Sequence, residues 1–169
     1  MREILFKAKR KDNGEWVEGL LWKKKYKSNK IFISCFPDED DNEEVYVVDE
    51  STICQFTGLT DKNGCRIWDN DIVTFKHEKF DFDDGLEPWK RTSLPNKKEY
   101  KRNYVVEFCN TPTHYGLRLR NGSIWFMVHK MTIVMHDVEV IGNTFDNPEL
   151  MNTTETIGYA DNGGLMSAT

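Results

Sequence analysis

The chain has 169 residues and a net charge of −5, with 38% hydrophobic and 12% aromatic residues. This is the composition of a folded globular protein, and the length fits one ordinary domain or two small ones. No stretch approaches the roughly 18 apolar residues of a membrane helix, and the N-terminal residues lack the apolar core of a signal peptide. We therefore expect a cytoplasmic protein.

Charge is distributed in blocks along the chain. Residues 1–30 have a net charge of +6 and residues 31–84 of −11, followed by +6 over residues 85–130 and −6 over residues 131–169. Solvated loops on a small domain explain such alternation. The alternatives are self-complementary assembly and separate patches for partners of different charge.

Short segments rich in β-branched and aromatic residues, bounded by turn formers, predict antiparallel strands throughout the chain. They lie at residues 15–22, 31–36, 45–48, 71–75, 103–108, 115–120, 123–128 and 137–142. In the segment 115–120 the alternation is clean, with Tyr115, Leu117 and Leu119 on one face and arginines on the other. A mainly β protein follows, with little helix.

Asn-Gly pairs separate several of these strands and predict hairpins with type I′ turns, in which both central residues take positive φ. Each of the first three pairs is followed shortly by a tryptophan, which we expect to belong to the core. The pairs start at Asn13, Asn63, Asn121 and Asn162, and the tryptophans are Trp16, Trp68 and Trp125.

Three other segments lack the strand pattern. Asn147 followed by Pro148 predicts a short helix over residues 146–150, with Asn147 as its N-cap. Residues 77–102 have no sustained period and predict a long, charged, mobile loop between two strands. Residues 151–169 predict a flexible tail.

Cysteines and histidines are scattered, with no close CxxC pair, so we predict free thiols, no metal and no cofactor. A zinc site assembled across the fold stays an alternative. So does calcium at residues 61–71 or 81–85, although the glycine of the first segment falls too early for an EF-hand loop. The zinc alternative draws on Cys35, Cys54, Cys65, Cys109, His77, His114, His129 and His136.

A basic and aromatic run between two predicted strands is the candidate partner-binding segment. Cations there would contact phosphates while rings stack on bases, although a solvated basic loop explains the same residues. The acidic run 38–44 has a comparable protein-binding alternative, including mimicry of a nucleic acid. The candidate residues are Trp22, Lys23, Lys24, Lys25, Tyr26, Lys27 and Lys30.

Residues 50–73, together with residues 2–21 and 138–150, resemble the YopX-like family of phage and prophage proteins. The central pattern is an aromatic residue, Thr-Gly-Leu, an Asp-Lys-Asn-Gly turn, and an Asp-Ile-Val strand start. Asn70 replaces the usual glycine of the second turn, and Asn tolerates positive φ better than other non-glycine residues. The family-motif residues are Thr57, Gly58, Leu59, Asp61, Lys62, Asn63, Gly64, Ile67, Asp71, Ile72, Val73, Gly142, Asn143, Asp146, Asn147 and Pro148.

The resemblance implies a mainly β fold with an SH3-like barrel in the C-terminal two-thirds and a tendency to form homo-oligomers, but no known catalysis. We expect an N-terminal β segment over residues 1–50, the barrel over 51–150 and the tail thereafter. The predicted function is a non-enzymatic binding module in a phage-infected bacterium, with a protein partner favoured over nucleic acid. An enzyme with a carboxylate site at Asp61, Asp69 and Asp71 is the alternative, because paired carboxylates can shift each other's pKa or hold a metal.

Overall fold

A computed structural model of the chain describes residues 3–24, 30–35, 43–81, 96–110, 113–118, 124–127, 137–152 and 154–159. Antiparallel strands make up most of this part, and the mainly β prediction is confirmed. Two short 3-10 helices, Glu50–Thr52 and Pro148–Asn152, are the described helical segments. The strands are β1 (Phe6–Lys9), β2 (Trp16–Lys23), β3 (Ile31–Cys35), β4 (Glu44–Val48), β5 (Cys54–Thr60), β6 (Arg66–Trp68), β7 (Asp71–Asp81), β8 (Asn96–Asn110), β9 (Thr113–Arg118), β10 (Ile124–Met127), β11 (Glu139–Asn143) and β12 (Thr154–Tyr159).

The N-terminal sheet has the strand order β4-β3-β2-β1-β5-β6. It curves strongly, because Arg10 at the end of β1 forms a bridge with Val48 of β4. Two backbone hydrogen bonds support the bridge, from Lys11 N to Val47 O at 3.0 Å and from Asp49 N to Lys9 O at 2.8 Å. The concave side encloses a small apolar core, formed by Ala8, Ile31, Ile33 and Val48 with partly buried neighbours.

The C-terminal sheet has the order β10-β9-β8-β7-β11, and β12 pairs with the outer half of β8. Its core is built from alternate residues of β7, β8 and β9, as the strand period requires. Tyr115 and Leu117 face this core, as predicted. The fully or nearly buried members are Ile67, Val73, Phe75, Tyr104, Val106, Tyr115, Leu117 and Val138.

The hairpin positions at the first two Asn-Gly pairs are confirmed, but the type I′ geometry is wrong. Gly14 and Gly64 have φ of 76° and 83°, whereas Asn13 and Asn63 are not among the residues with positive φ. At the second pair, Gly64 N donates to Asp61 O and Asp61 N to Cys65 O, which describes a type I turn followed by a left-handed glycine. The other two pairs lie outside the described residues.

The loop predicted over residues 77–102 is wrong at both its ends. β7 continues to Asp81 and β8 begins at Asn96, and the two strands stay in register along this extension. This extension lacks the alternating apolar residues of a half-buried strand, but aromatic contacts stabilise it. The His77 ring stacks on the Tyr100 ring with a centroid distance of 5.1 Å. The tail prediction is likewise wrong for β12, whose backbone is paired with this extension of β8. A charged strand needs little apolar surface when its neighbours satisfy its backbone.

The SH3-like barrel is not confirmed, because the described strands of the C-terminal sheet do not close. The division at residue 50 stays a prediction, although β5 and β6 pair in the N-terminal sheet.

The short helix after Asn147 is confirmed as a 3-10 helix, and Leu150 N donates to Asn147 O at 3.1 Å. In the described ranges no helix is both long and apolar enough to cross a membrane.

Candidate functional site

Asp61 organises the central turn of the family motif. Its Oδ1 accepts hydrogen bonds from Asn63 N at 2.8 Å and Cys65 N at 2.9 Å. Its Oδ2 accepts one from Val140 N at 3.0 Å, so the same buried carboxylate also fixes the turn against β11. Lys62 adds a second link to β11, through an ion pair with Glu139. The residue predicted as a catalytic alternative therefore has a structural task.

The strand before this turn contains a bulge at Thr57 and Gly58, where the register of β5 against β6 shifts. Gly58 has φ of 83°, and Thr57 Oγ1 donates to Ile67 O at 2.7 Å. At the next turn Asn70 has φ of 66°, the left-handed conformation expected for this asparagine. Gly58 and Asn70 thus supply the positive φ that the bulge and the turn need, and Thr57 stabilises the bulge by its hydrogen bond.

Lys7 and Asp71 form an ion pair between the two sheets. Lys7 Nζ lies 2.7 Å from Asp71 Oδ1, and the two side chains are 13% and 2% exposed. Asp71 Oδ2 accepts a hydrogen bond from Trp68 N at 2.8 Å. Burial raises the pKa of Asp71, while Lys7 and the Trp68 N–H act in the opposite direction. Both partners lie in the N-terminal sheet, so this carboxylate links β7 of the C-terminal sheet to the N-terminal sheet.

A second carboxylate in the same region is Asp146, which belongs to the family-motif block 138–150. It pairs with Lys9, and its Oδ2 accepts hydrogen bonds from Trp16 Nε1 at 2.7 Å and Asn143 Nδ2 at 3.0 Å. The bonds from Lys9, Asn143 and Trp16 lower the pKa of Asp146 to about 2. Phe145 meets the Trp16 ring edge-on at a centroid distance of 5.8 Å.

We call this cluster the junction, because it brings together all three blocks of the family motif. The Lys7 ammonium lies 5.2 Å from the centre of the Trp16 ring and 5.4 Å from that of Trp68, within range of a cation–π attraction. Trp68 is buried, as predicted, and Trp16 is partly buried. The junction consists of Lys7, Lys9, Trp16, Trp68, Asp71, Phe145 and Asp146.

The predicted carboxylate site is not assembled as a common centre. Asp61 binds turn amides, Asp71 binds Lys7 and Trp68, and Asp69 accepts a hydrogen bond from Phe108 N at 3.2 Å. Burial raises the pKa of Asp69. Within the described residues, no three histidine, cysteine or acidic side chains come close enough to hold a metal. Burial also raises the pKa of Cys54 to about 11, which makes its thiol a poor nucleophile at neutral pH.

The convex side of the N-terminal sheet carries an apolar surface, which we call the outer face. Leu20 pairs with Ser34 and Trp22 with Phe32, and these pair in turn with Val45 and Val47. Directly paired residues share a face of a sheet, so all six side chains lie on one side. The apolar members, which define the outer face, are Leu20, Trp22, Phe32, Val45 and Val47.

Exposure distinguishes the outer face from the core. Leu20 is 50%, Trp22 41% and Val45 44% exposed. Five large hydrophobic side chains are exposed in the described part of the chain, and these three are among them. Contiguous apolar surface of this kind is unusual on a monomer unless it binds something.

Trp22 is held in a fixed orientation on the outer face. Its ring stacks on Phe32 with a centroid distance of 4.5 Å and an interplanar angle of 12°. Its Nε1 donates to Ser34 Oγ at 2.8 Å. A ring fixed before binding loses less side-chain entropy when a partner arrives.

A shallow groove of about 450 Å³ adjoins the outer face along β4. Val45 and Val47 belong to both surfaces, and the bridge at Arg10 brings Lys11 to the opposite wall. The groove is lined by Lys11, Asp12, Lys30, Val45, Tyr46 and Val47. It gives the apolar face a basic margin.

The predicted basic segment is only partly brought to this surface. Lys24 and Lys30 meet at the ends of β2 and β3, where Lys24 N donates to Lys30 O at 3.3 Å. Lys23 lies on the other face, 3.9 Å from Glu50. Lys25, Tyr26 and Lys27 lie outside the described residues, as does most of the acidic run 38–44.

Five residues of this surface were not predicted from the sequence, namely Leu20, Phe32, Val45, Val47 and Lys11. A signal for the first four was present, because β2, β3 and β4 are apolar at consecutive positions. A strand with one solvated face alternates, so a continuous apolar run indicates two apolar faces. Lys11 carried no such signal, since the curvature of the sheet brings it to β4.

The fold and these surfaces define a class of two-sheet, antiparallel β proteins whose motif residues hold the sheets together. The family model described as "YopX protein" matches residues 5–152. The chain therefore belongs to the YopX family, as the three sequence blocks had indicated. No match was found among curated proteins.

One solved structure with the same architecture is the crystal structure of protein EF1440 from Enterococcus faecalis. It is 20% identical to this chain, with a TM-score of 0.51, and the alignment covers 89% of this chain and 99% of that one. At this identity the likeness concerns the fold alone. It indicates that both sheets belong to a shared architecture.

Proposed function

We propose that the chain is a non-enzymatic binding module that uses its outer face to bind a macromolecule of the phage or its bacterial host. The observation that carries the proposal is the exposure of Leu20, Trp22 and Val45 on a sheet whose core lies on the other side. Burying such a face against a partner is favourable, and tryptophan is among the residues that contribute most to interfaces.

Assembly with copies of itself and action in the host cytoplasm belong to the same proposal. The opposed charge blocks favour self-assembly, and the phage setting rests on the family resemblance. An SH3-like barrel over residues 51–150 is proposed on that ground too. Light scattering at micromolar concentration tests the assembly, since a mass equal to one chain would contradict it.

A nucleic-acid partner is the second candidate, favoured by one arrangement. Trp22 offers a fixed ring within the same hairpin as Lys24 and Lys30, which suits base stacking and phosphate contacts. The net charge of −5 opposes it. An enzymatic role at Asp61, Asp69 and Asp71 is disfavoured because these carboxylates are engaged by amides and Lys7.

The test is affinity capture from lysate of infected host cells, with nucleic acids retained. Wild-type protein is compared with the double variant Leu20→Ser/Val45→Ser, and Ile4→Ser is the matched control because Ile4 is 62% exposed but lies outside the outer face. We expect the double variant to lose the captured partner and the control to keep it. Equal capture by all three proteins would contradict the proposal.

A further inference from the structure

The groove beside the outer face has an excess of positive charge. Asp12, its acidic residue, is engaged by the Arg10 guanidinium, with Oδ1 2.9 Å from Arg10 Nε. Lys11 and Lys30 have no ion pair with any residue that the structure describes, although Asp49 contributes a weaker electrostatic interaction with Lys11. Lys24 follows at the end of β2. Among the described residues no acid forms an ion pair with Lys11 or Lys30, so a bound carboxylate would meet ammonium groups with little competition there.

The adjoining outer face is apolar and mostly aliphatic. Leu20, Val45 and Val47 surround the single exposed tryptophan of this surface. A nucleic-acid base could stack on Trp22, but the other aromatic ring of the outer face, Phe32, is already stacked against Trp22. The aliphatic side chains offer a base no ring and pack instead against apolar side chains. The combination favours a polypeptide over a nucleic acid.

We propose that the outer face and the groove together bind an acidic segment of another protein. Apolar side chains of the segment pack on Leu20, Trp22 and Val45, and its carboxylates lie at Lys11 and Lys30. This inference rests on the proposed function and adds the chemistry of the partner. Attraction at the groove sets the salt dependence of binding, and the apolar contacts hold the complex.

The experiment is selection from a random-peptide display library on the immobilised full chain. The variants are Lys11→Glu/Lys30→Glu and Trp22→Ala, and Lys76→Glu is the matched control on the C-terminal sheet, where Lys76 is exposed. Near-ultraviolet circular dichroism confirms that each variant is folded. A single-stranded oligonucleotide of about 20 nucleotides is assayed in parallel.

We expect enriched peptides to combine several acidic residues with an aromatic or aliphatic one. Their binding should fall about tenfold or more in Lys11→Glu/Lys30→Glu and in Trp22→Ala, but not in Lys76→Glu. Raising the salt from about 50 to about 300 mM should weaken it severalfold.

Several results would overturn the inference, and they separate it from the proposed function. Suppose that the enriched peptides are neutral and apolar, or that the oligonucleotide binds, and that this binding is lost in Trp22→Ala. Either result would support the outer face as a binding surface but reject an acidic protein segment as its partner. Self-association abolished by Lys11→Glu/Lys30→Glu would reject it in favour of a second copy. Both proposals would be rejected if the enriched peptides bind every variant as tightly as wild type. They would also be rejected if no peptide is enriched and the oligonucleotide does not bind.

Discussion

The junction and the outer face with its groove each combine tryptophan with nearby lysines, but they differ in what covers the tryptophan. At the junction, Trp16 and Trp68 lie beside Lys7. Two carboxylates complete this cluster, since Asp71 pairs with Lys7 and Asp146 accepts a hydrogen bond from Trp16. On the outer face, Trp22 shares a hairpin with Lys24 and Lys30, and no carboxylate of the described residues contacts its ring. A tryptophan beside a lysine is therefore evidence of binding only where the fold leaves the pair uncovered.

From this difference we infer that the junction stabilises the fold, whereas the outer face binds a partner. Residues of the junction and of the family motif fix turns and connect strands that are far apart in sequence, and their loss should lower the stability of the fold. Residues of the outer face contribute little to the core, and their loss should change binding alone.

Replacing Asp71 with alanine should have the largest effect on stability. The change leaves the largely buried Lys7 ammonium unpaired and the Trp68 N–H without its acceptor, which we expect to cost about 3–5 kcal/mol. Urea unfolding measures the loss. The double variant Lys7→Met/Asp71→Ala should recover part of it, because the unpaired charge is gone. A double variant no more stable than the single one would show that the charge is not the cause.

Replacing Asp61 with alanine should be the next most damaging change. Three backbone N–H groups lose their acceptor, and we expect a loss of about 2–3 kcal/mol in the free energy of unfolding. Asp61→Asn keeps one acceptor oxygen and should lose less. A stable Asp61→Ala protein that has lost its biological activity would restore the enzymatic alternative.

Asn70 distinguishes backbone geometry from side-chain chemistry at the second turn. Asn70→Ala should cost about 1 kcal/mol, because a β-carbon is disfavoured at a φ of 66°. Asn70→Gly should be within about 0.5 kcal/mol of wild type, since glycine takes this conformation freely. Thermal unfolding of the two variants gives the comparison. Equal destabilisation by both would point to the side chain instead.

Asp146 should give the junction a measurable dependence on pH. Its folded pKa of about 2 lies below the ordinary value, so its contribution is present above about pH 4 and is lost as the pH falls towards 2. The carboxylate is 36% exposed, and screening by solvent limits the effect to about 1 kcal/mol. The stability difference between wild type and Asp146→Asn should therefore shrink between pH 5 and pH 2. A constant difference would contradict this assignment.

The sequence predicted the strands that have clear boundaries, but not the contacts that make them a fold. The left-handed conformation of Asn70 could be interpreted in advance because it is local to a turn, whereas the bond from Val140 N to Asp61 joins positions 79 residues apart. The ion pair of Lys7 with Asp71 could not be predicted either, since 64 residues separate the two side chains. The extension of β7 and β8 was missed because paired backbone and stacked aromatic rings stabilise it without an apolar period.

The candidate site shows the same limit. The basic segment around Trp22 and Lys30 was found from composition, but composition did not separate Lys23, which lies on the opposite face. Lys11 reaches the groove only through the bridge between Arg10 and Val48, which is a property of the curved sheet. Surfaces made by curvature leave little trace in a single sequence.

Hydroxyl-radical footprinting of the free chain and of the chain captured with its partner shows whether the outer face is the binding surface. We expect labelling of Leu20, Trp22 and Val45 to fall severalfold in the complex, while labelling of Trp16 and Trp68 at the junction stays unchanged. Unchanged labelling of Trp22 in the complex, or protection confined to other residues, would contradict it.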